Sequence, residues 1–116
     1  MTDTLVYLVR HAKAGSRGCW AGPDDLRPLT PDGWRQAERL VQRWVDQPLA
    51  HLVSSPFLRC VQTLEPLAAA RGLPIEERDE LGEGMPWEYT EKLVLEAAAE
   101  GTAALSVHGD AMQLLV

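Results

Sequence analysis

The sequence predicts an α/β fold in three layers, a largely parallel sheet with helices on both faces. Three features point there. Short apolar runs alternate with segments of helical period, the first two helical segments open on a cap residue followed by proline, and polar or charged groups stand where the strands end. At 116 residues the chain is expected to be a single domain over 1–116. A domain of that size buries roughly two thirds of its unfolded surface.

Leu5 to Val9 reads as a strand buried on both faces, as a central parallel strand is. Ala14 to Leu29 is rich in glycine, proline and charge without a period, and reads as a long loop. Thr30 followed by Pro31 is a cap and a first-turn proline. Trp34, Ala37, Leu40, Val41, Trp44 and Val45 then recur at helical spacing, ending before Pro48. Leu49 to Ser54 is a second strand. Ser55-Pro56 repeats the cap-and-proline signal before a helix carrying Phe57, Val61, Leu64 and Ala68. Pro66 inside that pattern predicts a kink or break near Gln62 to Glu65, and Gly72 suits its C-terminal turn. Leu73 to Glu76 is a weak strand and Glu77 to Trp87 a loop. Glu88 to Glu100 is a helix with Tyr89, Leu93 and Ala97 on one face, and Thr102 to Val107 is a last strand, with His108 just after it.

The net charge of -6 argues against a general nucleic-acid binder, which needs a basic surface. Up to Cys60 the chain has eight Lys/Arg and six Asp/Glu, beyond it three and eleven. Positive charge therefore concentrates in the first half. Cys19 and Cys60, the only cysteines, make neither a disulfide framework nor a metal motif. No signal peptide or membrane span is evident, so a cytoplasmic protein with no membrane partner is expected.

Ligands of parallel sheets gather outside the carboxyl ends of the strands. There the pattern places Arg10 and His11, then Ser54, Ser55 and Arg59, then His108. Arginine's planar fork of donors matches phosphoryl oxygens. An unprotonated histidine turned by a hydrogen bond on its other nitrogen can attack phosphorus, and nearby positive charge keeps its lone pair available. A leaving alcohol also needs a proton. Glu80, Glu83 and Glu88 are the local carboxyls, and spacing does not choose among them.

Five stretches carry a resemblance. L-V-R-H-A-K-A, R-P-L-T-P-D-G-W-R-Q-A, S-S-P-F-L-R-C-V-Q-T, L-G-E-G and S-V-H-G occur in this order, and with them the chain resembles the histidine phosphatase superfamily. That group includes cofactor-dependent phosphoglycerate mutases, acid phosphatases and small phosphohistidine phosphatases. The resemblance implies a phosphoglycerate mutase-like fold. It makes His11 the phosphate-accepting nucleophile, Arg10, Arg59 and His108 phosphate ligands, and favours Glu83 as the acid. It implies a metal-independent phosphatase without a cofactor, acting through a covalent phosphohistidine on a phosphomonoester, a small metabolite or a nucleotide-related compound. A phosphatase for protein phosphohistidine, a phosphomutase and an inactive phospho-ligand binder are the alternatives.

There are two departures. Ala12 replaces the glycine after the first histidine, as in short members including domains fused to Nudix hydrolases. Family domains also run on past H-G, whereas D-A-M-Q-L-L-V would only begin the next helix. A C-terminally shortened domain is therefore expected, its end covered by a missing segment, a partner or self-association.

Plainer readings stand beside these. His51 has no motif and reads as structural or exposed. Lys13 and Arg17 either reach substrate or are solvated. Asp24-Asp25 is weak as a metal site, the tryptophans read as core, and Cys60 reads as a buried small residue.

Overall fold

A computed structural model of the chain describes residues 6–44, 46 and 48–108, without the side chains of Arg17 and Glu100. Strand β1 (Val6–Arg10) is followed by helix α1 (Pro31–Arg43), β2 (His51–Ser54), α2 (Leu58–Arg71), β3 (Ile75–Glu77), α3 (Trp87–Glu100) and β4 (Ala103–Val107). The strands form one sheet in the order β1-β4-β2-β3, with every pairing parallel. Leu64 and Leu67 of α2 pack with Leu40 and Val41 of α1 under Val9, Leu52 and Ala104, while Leu93 and Ala97 of α3 pack with Val53, Leu105 and Val107. In a strand alternate residues face opposite ways, so Leu52 and Val53, or Ala104 and Leu105, serve the two cores. The three layers follow.

Among the described strands β1 lies at an edge, not in the central place expected from its apolar run. Val6, Tyr7 and Leu8 are only half-buried, whereas all five residues of β4 are buried. The last strand inserts between the first two, and all five of its residues, Leu105 and Val107 with the small Ala103, Ala104 and Ser106, are buried there.

Local chemistry explains the other boundaries. Thr30 caps α1 by accepting from the Gly33 amide at 3.0 Å, with Pro31 in the first turn. Gly33 is required by contact, since a Cβ there would lie 2.0 Å from the Lys13 carbonyl oxygen. Ser55-Pro56 does not open α2, which starts at Leu58 with Phe57 at its cap. The Ser55 hydroxyl is drawn elsewhere, to His108 at 2.9 Å. α2 also runs through Pro66 without a break. Proline removes one helix hydrogen bond, but Leu64 and Leu67, fully buried on either side, keep the helix docked.

Gly72, at φ 64, ends α2 in the left-handed conformation as expected. The stretch before α3 is not plain loop: a short 3-10 turn at Asp79–Leu81 drives Leu81 into the core. On α3 the buried face is Thr90, Leu93 and Ala97, while Tyr89, expected there, is 46% exposed. Trp34 and Trp44 pack as expected, but Trp20 and Trp87 are each 38% exposed and are not core. Val45 and the segment D-A-M-Q-L-L-V lie outside the described residues.

Candidate active site

The Ala14–Leu29 segment that showed no period has internal order, with 3-10 turns at Arg17–Cys19 and Asp24–Leu26 and an antiparallel bridge from Ala14 to Leu29. Side chains of the two helices hold its ends. Gln36 Oε1 accepts from the Lys13 amide and Gln62 Oε1 from the Leu29 amide, each at 2.9 Å. This brings the loop over the carboxyl ends of β1, β2 and β4.

His11 follows β1 directly, its amide donating to the Val107 carbonyl at 3.1 Å. The next amide, that of Ala12, donates to Thr63 Oγ1 at 2.9 Å, and Thr63 donates in turn to the Arg59 carbonyl at 2.7 Å. One turn of α2 thus fixes both the backbone of the histidine and the start of the Arg59 side chain. The His11 ring lies with Nδ1 2.8 Å from the Ala12 carbonyl oxygen. A carbonyl can only accept, so Nδ1 carries the proton and Nε2 keeps its lone pair. Burial holds the imidazole below its ordinary pKa of 6.5; the Ala12 hydrogen bond opposes this, and the charges of Arg59, Arg10 and Arg27 reinforce it.

His108 is buried at the end of β4, its ring edge-on to His11 with centroids 5.7 Å apart and edge-on to Phe57 at 4.7 Å. Its Nε2 lies 2.9 Å from Ser55 Oγ. Cys60 lies beneath, its sulfur 3.6 Å from the same nitrogen, and burial pushes its thiol up to about 12, which makes it a poor nucleophile. Arg59 is 1% exposed, with its guanidinium carbon 4.9 Å from the centre of the Phe57 ring. Its Nη1 donates to the Asp24 carbonyl at 2.9 Å, and its Nη2 to Glu83 at 2.7 Å and to the Asp24 carboxylate at 3.2 Å. Its buried Nε has no hydrogen-bond partner among the described residues.

Among the three glutamates, the structure places Glu83 against this arginine. Glu80 is bonded to Arg78 at 2.7 Å, which holds its carboxyl below the usual range. Glu88 is exposed. Arg10 is exposed too, and lines a cleft of about 540 Å³ with His11, Lys13, Arg27 and Gln36. Arg27 is a residue the sequence reading passed over. It is 6% exposed, its Nε donates to the Asp24 carboxylate at 3.1 Å and its Nη1 to the Gly15 carbonyl. Asp24, weighed only as a metal ligand, instead pairs with two arginines. Asp and Arg three residues apart in a proline-flanked loop were the available signal. His51 is half-buried on β2, and Arg17 falls outside the described side chains.

Among the described residues no group of three or more His, Cys, Asp or Glu is placed to hold a metal ion, and no helix is long and apolar enough to cross a membrane.

A model of the histidine phosphatase superfamily (branch 1) matches residues 6–113. Over 63 residues, 54% of this chain, the sequence is 43% identical to an 8-oxo-(d)GTP phosphatase of Mycolicibacterium smegmatis, and it spans about a fifth of that protein's length, 20%. A crystal structure assigned as the phosphohistidine phosphatase SixA of Agrobacterium tumefaciens matches with a TM-score of 0.82 at 28% identity, covering 99% of this chain and 75% of that one. A phosphoglycerate mutase of Bacillus anthracis shares the fold, with a TM-score of 0.76 at 18% identity over 98% and 78% of the two chains.

Proposed function

The chain belongs to the histidine phosphatase superfamily, and from that premise we propose that it hydrolyses a phosphomonoester through a phosphohistidine on His11. The observation that carries this reading is the His11 ring, turned by the Ala12 carbonyl so that Nε2 is the basic nitrogen, beside the buried His108 and under the field of Arg59, Arg10 and Arg27. The Nε2 lone pair forms a bond to phosphorus while the ester P–O bond breaks, its electron pair leaving on the oxygen. Glu83 gives that oxygen a proton. Water then loses a proton to Glu83 and attacks phosphorus, the P–N bond breaks, and inorganic phosphate leaves with His11 restored. Arg10, Arg59 and His108 hold the phosphoryl oxygens and offset the charge that gathers on them.

The test is rapid-quench labelling with radiolabelled acetyl phosphate. Acid-labile, base-stable label that is absent from His11→Ala supports the covalent step. A folded chain that binds phosphate and takes up no label would reduce the protein to a phospho-ligand binder.

A second reading, removal of phosphate from protein histidines, is favoured by the likeness to the SixA structure. Direct competition between a phosphohistidine peptide and a small phosphoester separates the two. The Glu83 carboxyl group, placed at Arg59, supports the small ester: in its protonated form it can supply the proton without which the alkoxide leaves poorly.

A further inference from the structure

One phosphoryl dianion asks for few donors, and Arg59 and His108 already flank His11. The cleft on which His11 opens holds more positive charge than that. Its lining includes Arg10, Lys13 and Arg27 with Gln36, and none of the residues lining it is acidic, in a chain whose net charge is -6.

Two of these cations start from fixed points. Arg27 is buried and clamped by the Asp24 carboxylate and the Gly15 carbonyl, so its guanidinium is oriented before any ligand arrives. The Lys13 backbone is held on both sides, its amide by Gln36 at 2.9 Å and its carbonyl by the Thr30 amide at 3.0 Å. Arg27 therefore loses little side-chain freedom on meeting an anion, while Lys13 brings a charge on an ordered main chain.

We infer that the site takes a substrate with a second phosphoryl group beside the one transferred, held by Lys13 and Arg27. This rests on the reading of His11 as the phosphoryl acceptor. The second group belongs either to a diphosphate, joined through a bridging oxygen, or to a bisphosphate ester, joined through carbon. In the first case the breaking bond is the bridging P–O bond and the electron pair departs on a phosphate, which needs little help from an acid. In the second the departing alkoxide takes the proton of Glu83.

Three non-hydrolysable probes decide the matter by calorimetric titration of the whole chain: methylphosphonate, methylenediphosphonate and propane-1,3-diphosphonate. The expected result is that one diphosphonate binds at least about tenfold more tightly than methylphosphonate, a difference of about 1.4 kcal/mol. Preference for the methylene compound assigns a diphosphate, and preference for the propane compound a bisphosphate ester. Lys13→Ala, at an exposed side chain, should cut that preference to below about threefold, and Lys13→Arg should keep most of it. Equal binding of all three probes, or a full preference surviving in Lys13→Ala, overturns the inference. The titration requires no turnover, so its failure is distinct from a failure to label His11.

Discussion

Asp24 meets Arg59 twice, through its main-chain carbonyl at Nη1 and through its carboxylate at Nη2. The same carboxylate reaches Arg27 with its other oxygen, which holds the Asp24 carboxyl below the usual range against the effect of burial. A loop carboxylate thus sits where two arginines converge, on the donors an oxyanion would use.

Asp24→Asn is therefore expected to bind inorganic phosphate more tightly than the parent, by about three- to tenfold, an effect kept modest by the exposure of the Asp24 side chain. Calorimetry with phosphate reads the sign. Weaker binding in the variant would mean that the carboxylate orients Arg59 and Arg27 and does not compete with the ligand.

Glu83→Gln separates acid catalysis from binding. Turnover of an alkyl phosphate should fall by roughly 10²–10⁴-fold, because the alkoxide then leaves without a proton. With p-nitrophenyl phosphate, whose leaving group needs no proton, the loss should stay below about tenfold. Equal losses on both substrates would assign Glu83 to holding Arg59 alone.

Because the native pKa of His11 lies below 6.5, its nucleophilic form persists on the acid side of ordinary imidazole titration. Folded His11 binds fewer protons than unfolded His11 between those two values, so its contribution to stability is present above 6.5 and is lost as pH falls through the native value. An NMR titration should place the His11 midpoint below 6.5 in the parent and higher in Arg10→Gln. A midpoint at or above 6.5 in the parent contradicts the electrostatics described for the site.

Gly33→Ala inverts the usual helix rule. Alanine ordinarily stabilises a helix by up to about 1 kcal/mol over glycine. Here its methyl would strike the Lys13 carbonyl. Denaturant unfolding should show a loss of about 1–3 kcal/mol, as for other overpacked sites. A gain would mean that the loop yields easily to α1.

The parts of this fold legible in the sequence are those set by periodicity and capping. The Thr30-Pro31 start of α1, the apolar character of β4 and the Gly72 stop depend on neighbours within a few residues. Strand order does not: nothing within β1 tells that β4, about a hundred residues later, will take the place between it and β2. At the site, His11, Arg59 and His108 were readable because short motifs end at strands. Asp24 and Arg27 stand three residues apart and pair locally, but their links to Arg59 and to the Gly15 carbonyl span 35 and 12 residues, and only the folded loop makes them. Ser55 illustrates the same limit: its local signal is a helix cap, but a histidine 53 residues later claims its hydroxyl.

The order β1-β4-β2-β3 has a consequence for biosynthesis. β1 pairs only with β4 among the described strands, and β2 reaches β1 only through β4. A nascent chain can form α1, α2 and the β2–β3 pair, but it has no place to lodge Val6–Arg10 until Ala103–Val107 has left the ribosome. The strand that leads into His11 waits for the last one to be made, a long-range closure of the kind that folds slowly.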